Sequence, residues 1–223
     1  MAFGIATTLF SCNGSGDEKK DDKKADSVVT AAFTPFKVIM IKHKVADYAK
    51  WKDAYMAHDS MRNVYGITKF VIGRTMDDSN TVVVVDKIAD VQKAKDFAAS
   101  PSLKEAMGKA GVIGAPEIAY STIVRFDSAG TDQKDRLRVS HKVKDYATWL
   151  KAYDAEGKAT RLANGMQDRA IARDVEDSNL VSVTFVITDM AKAKARAASP
   201  ELKKLMTDAG VEGEPKALFY KVQ

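Results

Sequence analysis

Six aromatic or basic side chains recur at intervals of three and four residues near the middle of the first half of the chain. They are Tyr48, Trp51, Tyr55, His58, Arg62 and Tyr65. This spacing places them on one face of a helix. Stripes of this kind usually pack a helix against a sheet, so the sequence favours a core role for the aromatic residues. It leaves open a pocket bordered by the basic end, at His58 and Arg62.

Two histidines, His43 and His141, stand at the ends of predicted strands. A histidine can act as a general base or a metal ligand near neutral pH. No second ligand lies at metal-binding spacing nearby, so the sequence favours histidines that are hydrogen-bonded beneath the following helix. The chain also lacks a glycine-rich phosphate loop and a nucleophile elbow. We therefore expect no metal and no cofactor, and we assign no catalytic residue from the sequence.

The chain contains an internal repeat, in which His43-Lys44-Val45 corresponds to His141-Lys142-Val143. Roughly 35 of about 80 aligned positions are identical, which indicates duplication. Glu156 takes the place of His58, and one residue is inserted directly after it. This exchange argues against a catalytic role that both copies share.

Each copy is predicted to have the order β-α-β-β-α-β. In the first copy, strands are predicted over 36–44, 67–76, 81–88 and 117–126, because these stretches are rich in β-branched residues. Helices are predicted from Asp47 to Tyr65 and from Asp90 to Ala99, with a short helix after Ser100-Pro101. The split βαβ motif has this order.

Both copies resemble the dimeric α/β-barrel superfamily, which includes antibiotic-biosynthesis monooxygenases and related small oxygenases. The resemblance covers residues 36–223. It rests on the element order and on two motifs, His-Lys-Val-x-Asp-Tyr-x-x-Trp and Ser-Pro-x-Leu-Lys-x-x-Met, which occur in both copies. It implies an α+β fold in which two ferredoxin-like repeats pair their antiparallel sheets into one barrel within a single chain. The superfamily is functionally mixed, so the fold does not fix the function.

The predicted organisation has five parts: a signal segment at 1–12, a tether at 13–33, the first repeat at 34–126, a linker at 127–135 and the second repeat at 136–223. The sequence is silent on further oligomerisation.

The two copies differ in polarity on the sheet face that points away from the helices. Strand alternation places Val38, Met40, Val83 and Val85 on that face in the first copy, and Arg136, Arg138, Ser182 and Thr184 in the second. Arginines inside a barrel need water, a carboxylate or an anionic ligand. The sequence therefore predicts a small, partly apolar ligand with an anionic or carbonyl group, held between the sheets. The alternative is that the strand around Leu137 is shifted by one residue, so that both arginines face solvent.

The N-terminus resembles a bacterial lipoprotein signal. A short apolar segment leads to Leu9-Phe10-Ser11-Cys12, and a polar tether follows. We expect Cys12 to carry lipid and to anchor the protein in the bacterial cell envelope, on the periplasmic or outer-membrane face. No basic residue precedes the apolar segment, so a cytoplasmic protein is the alternative. Cys12 is the single cysteine, and an internal disulfide is therefore excluded.

Composition argues against some functions but does not select a single one. The net charge of +5 is small for a chain of 223 residues, and no basic block is interleaved with aromatics, so nucleic acid is an improbable partner. Three functions remain: a ligand-binding barrel, a cofactor-independent monooxygenase or isomerase acting on an aromatic substrate, and a structural envelope protein with no pocket.

Overall fold

The computed structural model describes residues 33–223. The predicted lipid attachment at Cys12 and almost all of the predicted tether lie outside this range and stay predictions. Among residues 33–223, no helix is both long and apolar enough to cross a bilayer.

The first half comprises four strands and four helices. The strands are β1 (Phe36–Val45), β2 (Ile67–Thr75), β3 (Thr81–Ile88) and β4 (Val112–Phe126). The helices are α1 (Tyr48–Ala57), α2 (Asp59–Val64), α3 (Val91–Ala99) and α4 (Pro101–Lys109).

The second half repeats this order. Its strands are β5 (Asp135–Val143), β6 (Met166–Asp174), β7 (Leu180–Ile187) and β8 (Val211–Val222). Its helices are α5 (Tyr146–Glu156), α6 (Lys158–Ala163), α7 (Met190–Ala197) and α8 (Pro200–Asp208).

The eight strands form one closed antiparallel barrel in the order β1-β3-β2-β8-β5-β7-β6-β4. Two seams join the halves: β2 pairs with β8 through Gly73–Thr75, and β4 pairs with β6 through Ser121–Phe126. Closure leaves neither half with a free sheet edge. The predicted pair of βαββαβ repeats in one barrel is confirmed.

The helices begin where the sequence predicts them. Asp47 and its counterpart Asp145 accept hydrogen bonds from backbone N–H groups three residues on, at 2.7 and 2.8 Å. Ser100 accepts the corresponding bond from Leu103. These caps satisfy N–H groups that the first helical turn leaves free.

Two details differ from the predicted elements. The first helix is broken at His58, where α1 ends and α2 begins. The last strand of the first half begins at Val112 instead of Glu117. It begins earlier because β4 contains a bulge: between Lys42 and Lys44 of β1, the partner residue moves from Glu117 to Ile113.

The sheet separates two apolar layers. Inside the barrel, Val38 packs with Ile123 and Ala172. On the outer face, the helices cover residues of β1 and β3, and Trp51 of α1 packs against Val82 and Val84. The candidate site described next lies in this outer layer.

Candidate functional site

A cavity of about 100 Å³ lies between the helices and the sheet of the first half. An engineered apolar cavity of roughly 150 Å³ holds one benzene ring, so this smaller cavity admits at most a single ring. The apolar lining includes Ile39, Ile41, Trp51, Val84, Phe97 and Ala106. The polar lining consists of His43, Tyr55, His58, Arg62 and Asp86.

A buried carboxylate faces this cavity. Asp86 of β3 is 1% exposed, and the Tyr55 hydroxyl donates to its two oxygens at 2.8 and 3.0 Å. Burial raises the pKa of Asp86 to about 6, although the Tyr55 hydroxyl and the Arg62 cation oppose the shift. Burial and the Asp86 carboxylate also raise the pKa of Tyr55. At pH 7 the pair is therefore an ionised carboxylate beside a protonated phenol.

Arg62 closes one side of the cavity. Its guanidinium lies 3.7 Å from the centre of the Tyr55 ring, a cation–π contact. It donates to the Tyr55 carbonyl at 2.6 Å and to Asp59 at 2.7 Å. The helix break at His58 places that carbonyl within reach. Arg62 is thus buried, but its carboxylate partner is exposed.

His43 lies toward the other end of the cavity. It stands four residues from Ile39, the β1 partner of Asp86, so His43 and Asp86 are separated by on the order of 13 Å along the sheet. The His43 ring packs on Trp51, with centroids 5.4 Å apart. Burial lowers the pKa of His43 to about 4, so its imidazole is neutral at pH 7.

Neither nitrogen of His43 has a hydrogen-bond partner within the described part of the chain, and the same is true of His141. Their placement beneath the first helix of each half agrees with the sequence interpretation, but the hydrogen bond expected there is not made. His141 packs on Trp149 with a centroid distance of 5.6 Å. A neutral imidazole carries one donor and one acceptor, and in His43 both are closed off from solvent.

The same region of the second half is filled. Phe185 stands where the first half has Asp86, and it belongs to the continuous apolar core of the second half. The second half has its carboxylate on the neighbouring strand, β6. There Asp168 accepts two hydrogen bonds from Arg161, both at 2.7 Å. Glu156 contacts Arg161 at 3.4 Å and Arg196 at 2.7 Å. These charges satisfy one another.

Four of the six stripe residues predicted from the sequence line the cavity: Trp51, Tyr55, His58 and Arg62. Tyr48 stacks on Trp51, and Tyr65 packs against Phe97. Trp51 and Tyr55 of α1 and Arg62 of α2 thus line the same cavity although the predicted helix is broken.

The second predicted set faces the barrel interior. Val38 and Val85 belong to the interior apolar cluster. Leu137 packs on the helix side, so its strand neighbours Arg136 and Arg138 point inward, in the predicted register.

Asp86 and Phe97 were missed. Asp86 carries a signal in the sequence: it occupies a helix-facing position in the alternation Val82, Val84, Asp86, Ile88, where its counterpart is Phe185. A carboxylate at an otherwise apolar position of a repeat is a candidate for function. Among residues 33–223, no group of three or more histidine, cysteine, aspartate or glutamate side chains is placed to hold a metal ion.

Several solved structures resemble this architecture. A candidate monooxygenase from Fusobacterium nucleatum matches with a TM-score of 0.55 and 12% identity, over 86% of this chain and 93% of its own. An anthrone oxidase-like protein matches with a TM-score of 0.54 and 13% identity, over 84% and 91%. A candidate monooxygenase from Lactobacillus acidophilus matches with a TM-score of 0.53 and 15% identity, over 85% and 94%.

The chain has the dimeric α/β-barrel fold, duplicated in tandem. At these identities the similarity establishes the fold and nothing finer. No family model matches the sequence, and no curated protein matches it.

Proposed function

We propose that the first half binds a small aromatic substrate in the cavity between its helices and sheet, and oxygenates it without a cofactor. The observation that carries the proposal is the buried Asp86–Tyr55 pair at the wall of an apolar cavity. The structural relatives described as monooxygenases and as anthrone oxidase-like support this class of reaction.

In the proposed reaction, Asp86 takes a proton from an activated methylene group of the substrate. Tyr55 holds the carboxylate in place, and Trp51 and Phe97 contact the ring. The electron pair left on carbon then reduces dioxygen. One oxygen atom becomes a carbonyl on that carbon, and the other leaves as water with the two hydrogens of the methylene. Dioxygen is the oxidant, so the atoms and electrons balance.

Oxygen uptake by the full chain with phenylacetaldehyde, a single-ring compound with an activated methylene group, tests the proposal. We expect Asp86→Asn to reduce the rate by about 10²–10⁴-fold, which is the usual contribution of a general base. Ala106→Leu, which introduces the residue of the second half, should weaken substrate binding by filling the cavity. Tyr153→Phe, at the position of the second half that corresponds to Tyr55, should leave the rate unchanged. Equal rates in the wild type and Asp86→Asn would refute the proposal.

A second candidate function is ligand binding without turnover. It is favoured by the fact that both oxygens of Asp86 already accept from Tyr55. Phenylacetaldehyde that binds tightly but causes no oxygen uptake would identify a binding protein. If the chain binds no aromatic compound, a structural role is the function that remains. The interior arginines predicted from the sequence lie on the other face of the sheet and form a separate candidate site.

We further propose that the protein is anchored in the cell envelope, on the strength of the Leu9-to-Cys12 junction. Membrane fractionation of wild type and Cys12→Ala, each with a basic segment added upstream of the apolar stretch, tests this. Release of the variant from membranes is expected. Continued membrane association would count against the anchor.

A further inference from the structure

The barrel interior is apolar on one side and cationic on the other. Register places Arg138 opposite Thr184 of β7 and opposite Leu218 of β8, so these side chains share the inner face. Arg136 lies opposite Tyr220 in the same way. The apolar side is formed by Val38, Ile123 and Ala172, with Val85 packed against them.

The arginines of this interior have no carboxylate partner. Arg136 is 8% exposed, and its guanidinium donates to the backbone carbonyls of Gln133 and Asp135 at 2.7 and 3.0 Å. Within residues 33–223, Arg138 lies within 4.0 Å of no carboxylate and donates no side-chain hydrogen bond. An arginine surrounded by protein must be solvated by water or by an anion, because leaving its donors unmet is costly.

The other nearby cations are already occupied. Lys87 lies 4.8 Å from the ring centres of Phe36 and Phe70, and Arg169 lies 4.9 Å from that of Phe126. Arg169 also donates to the Ala129 carbonyl. Arg138 therefore differs from Lys87 and Arg169, because within the described residues it makes no ion pair, side-chain hydrogen bond or cation–π contact.

Arg138 lies opposite Thr184 in the β5–β7 pairing, and Tyr220 lies nearby. Ser182 and Tyr220 are buried. The hydroxyl of each nevertheless has either access to solvent or a hydrogen-bond partner. Burial lowers the pKa of the Arg138 guanidinium and nearby Tyr220 opposes the shift, but arginine stays protonated at neutral pH. An eight-stranded barrel has room for its side chains or for one small ligand.

We propose that the barrel interior is a second binding site, in which Arg138 holds the carboxylate of a small organic acid and Val38 and Val85 contact its apolar body. Arg136, Ser182 and Thr184 supply further hydrogen-bond donors. The planar fork of arginine matches the two oxygens of a carboxylate. We assign an organic acid instead of an inorganic anion because the wall facing the arginines is apolar.

Isothermal titration calorimetry of the full chain with benzoate, and separately with inorganic phosphate, tests this site. We expect benzoate to bind and Arg138→Gln to weaken it by about 10–150-fold, the range for one charge-assisted hydrogen bond. Thr184→Val, which is isosteric and milder, should weaken binding by about threefold and keeps the test informative if Arg138→Gln fails to fold. Without ligand, Arg138→Met should raise the melting temperature only slightly, by about 2 °C or less, because it removes an unpaired charge that is half-buried.

Two controls separate this site from its surroundings. Arg125→Gln removes the same charge from an exposed ion pair and should leave benzoate affinity unchanged. Ala106→Leu fills the outer cavity and should also leave it unchanged, so the interior site can fail or hold independently of the proposed oxygenase. The proposal is overturned if benzoate does not bind, if binding survives Arg138→Gln, if Ala106→Leu abolishes it, or if phosphate alone binds.

Discussion

Between the helices and the sheet, the first half contains a cavity, whereas the second half contains the Phe185 ring and a cluster of paired charges. The apolar residues of the second half form one continuous core around Trp149. Those of the first half fall into two clusters, one around Ile39 and one around Trp51. The cavity is lined by members of both clusters and therefore lies between them.

This difference arises from a few exchanges on a shared backbone. Asp86 and Phe97 of the first half correspond to Phe185 and Arg196, and Lys69 corresponds to Asp168. The caps and the packing of the strand-end histidines on tryptophan are the same in both halves. Duplication thus gives a matched internal control, in which the second half shows how the site looks when it is closed by packing and ion pairs.

The largest expected contrast comes from removing the buried arginine of each half. Arg161→Met should destabilise the protein by about 3–5 kcal/mol, because it leaves Asp168 buried without its cation. Arg62→Met should cost less, about 1–2 kcal/mol, because its partner Asp59 has a side chain that is 52% exposed. Urea unfolding of the two variants measures both. Equal losses would show that the two halves are not as different electrostatically as their geometry indicates.

The next contrast is a pH dependence that belongs to the first half. The pKa of Asp86 is about 6 in the fold against an ordinary value of 3.8, so the native state binds its proton more tightly than the unfolded chain does. Ionisation therefore costs stability as the pH rises from about 4 to about 6, by up to about 3 kcal/mol. Asp86→Asn lacks this cost. Its stability relative to wild type should improve over that pH range and then stay level.

Unfolding free energies of wild type and Asp86→Asn, measured from pH 4 to pH 8, check this sign. The histidines act in the opposite direction. Their pKa values are lowered to about 4, so the unfolded chain gains protons first as the pH falls below about 6.5, and stability is lost. Because both proteins contain His43 and His141, that loss cancels in the difference. A difference independent of pH would mean that Asp86 is not perturbed.

The fold could be predicted because repetition and alternation act over many residues. The period-two pattern of Val82 and Val84 fixes which face meets the helices, and the aspartate caps fix where the helices begin. The register of β5, which directs Arg138 inward, is predicted from the helix-side apolar residues of both copies, with a one-residue shift left open as the alternative.

The cavity could not be predicted in the same way, because it depends on contacts between distant residues. Asp86 and Tyr55 are 31 residues apart in sequence, and only the fold brings the hydroxyl to the carboxylate. The break at His58 lets Arg62 reach the Tyr55 carbonyl. No glycine or proline stands there, so the sequence does not predict it. In the second half Gly157 occupies the break, with φ of 82°.

The smallest contrast concerns one hydroxyl group in each half. Tyr55→Phe removes the donor to a buried carboxylate and should cost about 1.5–3 kcal/mol, the range for a hydrogen bond to a charged group. Tyr153→Phe should cost close to nothing, because the Tyr153 hydroxyl is buried and makes no hydrogen bond within residues 33–223. Both variants keep the ring that the buried arginine contacts, at 3.7 and 3.8 Å. Thermal and urea unfolding compare them directly.

Tyr55→Phe also tests how far the Tyr55 hydroxyl controls the pKa of Asp86. Without the phenol, Asp86 loses the hydrogen bond that most strongly opposes the effect of burial, so its pKa should rise further above 6. The pH range in which ionisation costs stability should then extend upward, while Tyr153→Phe should leave it in place. If both variants shift that range equally, the hydroxyl of Tyr55 does not act on Asp86, and the carboxylate is governed by burial alone.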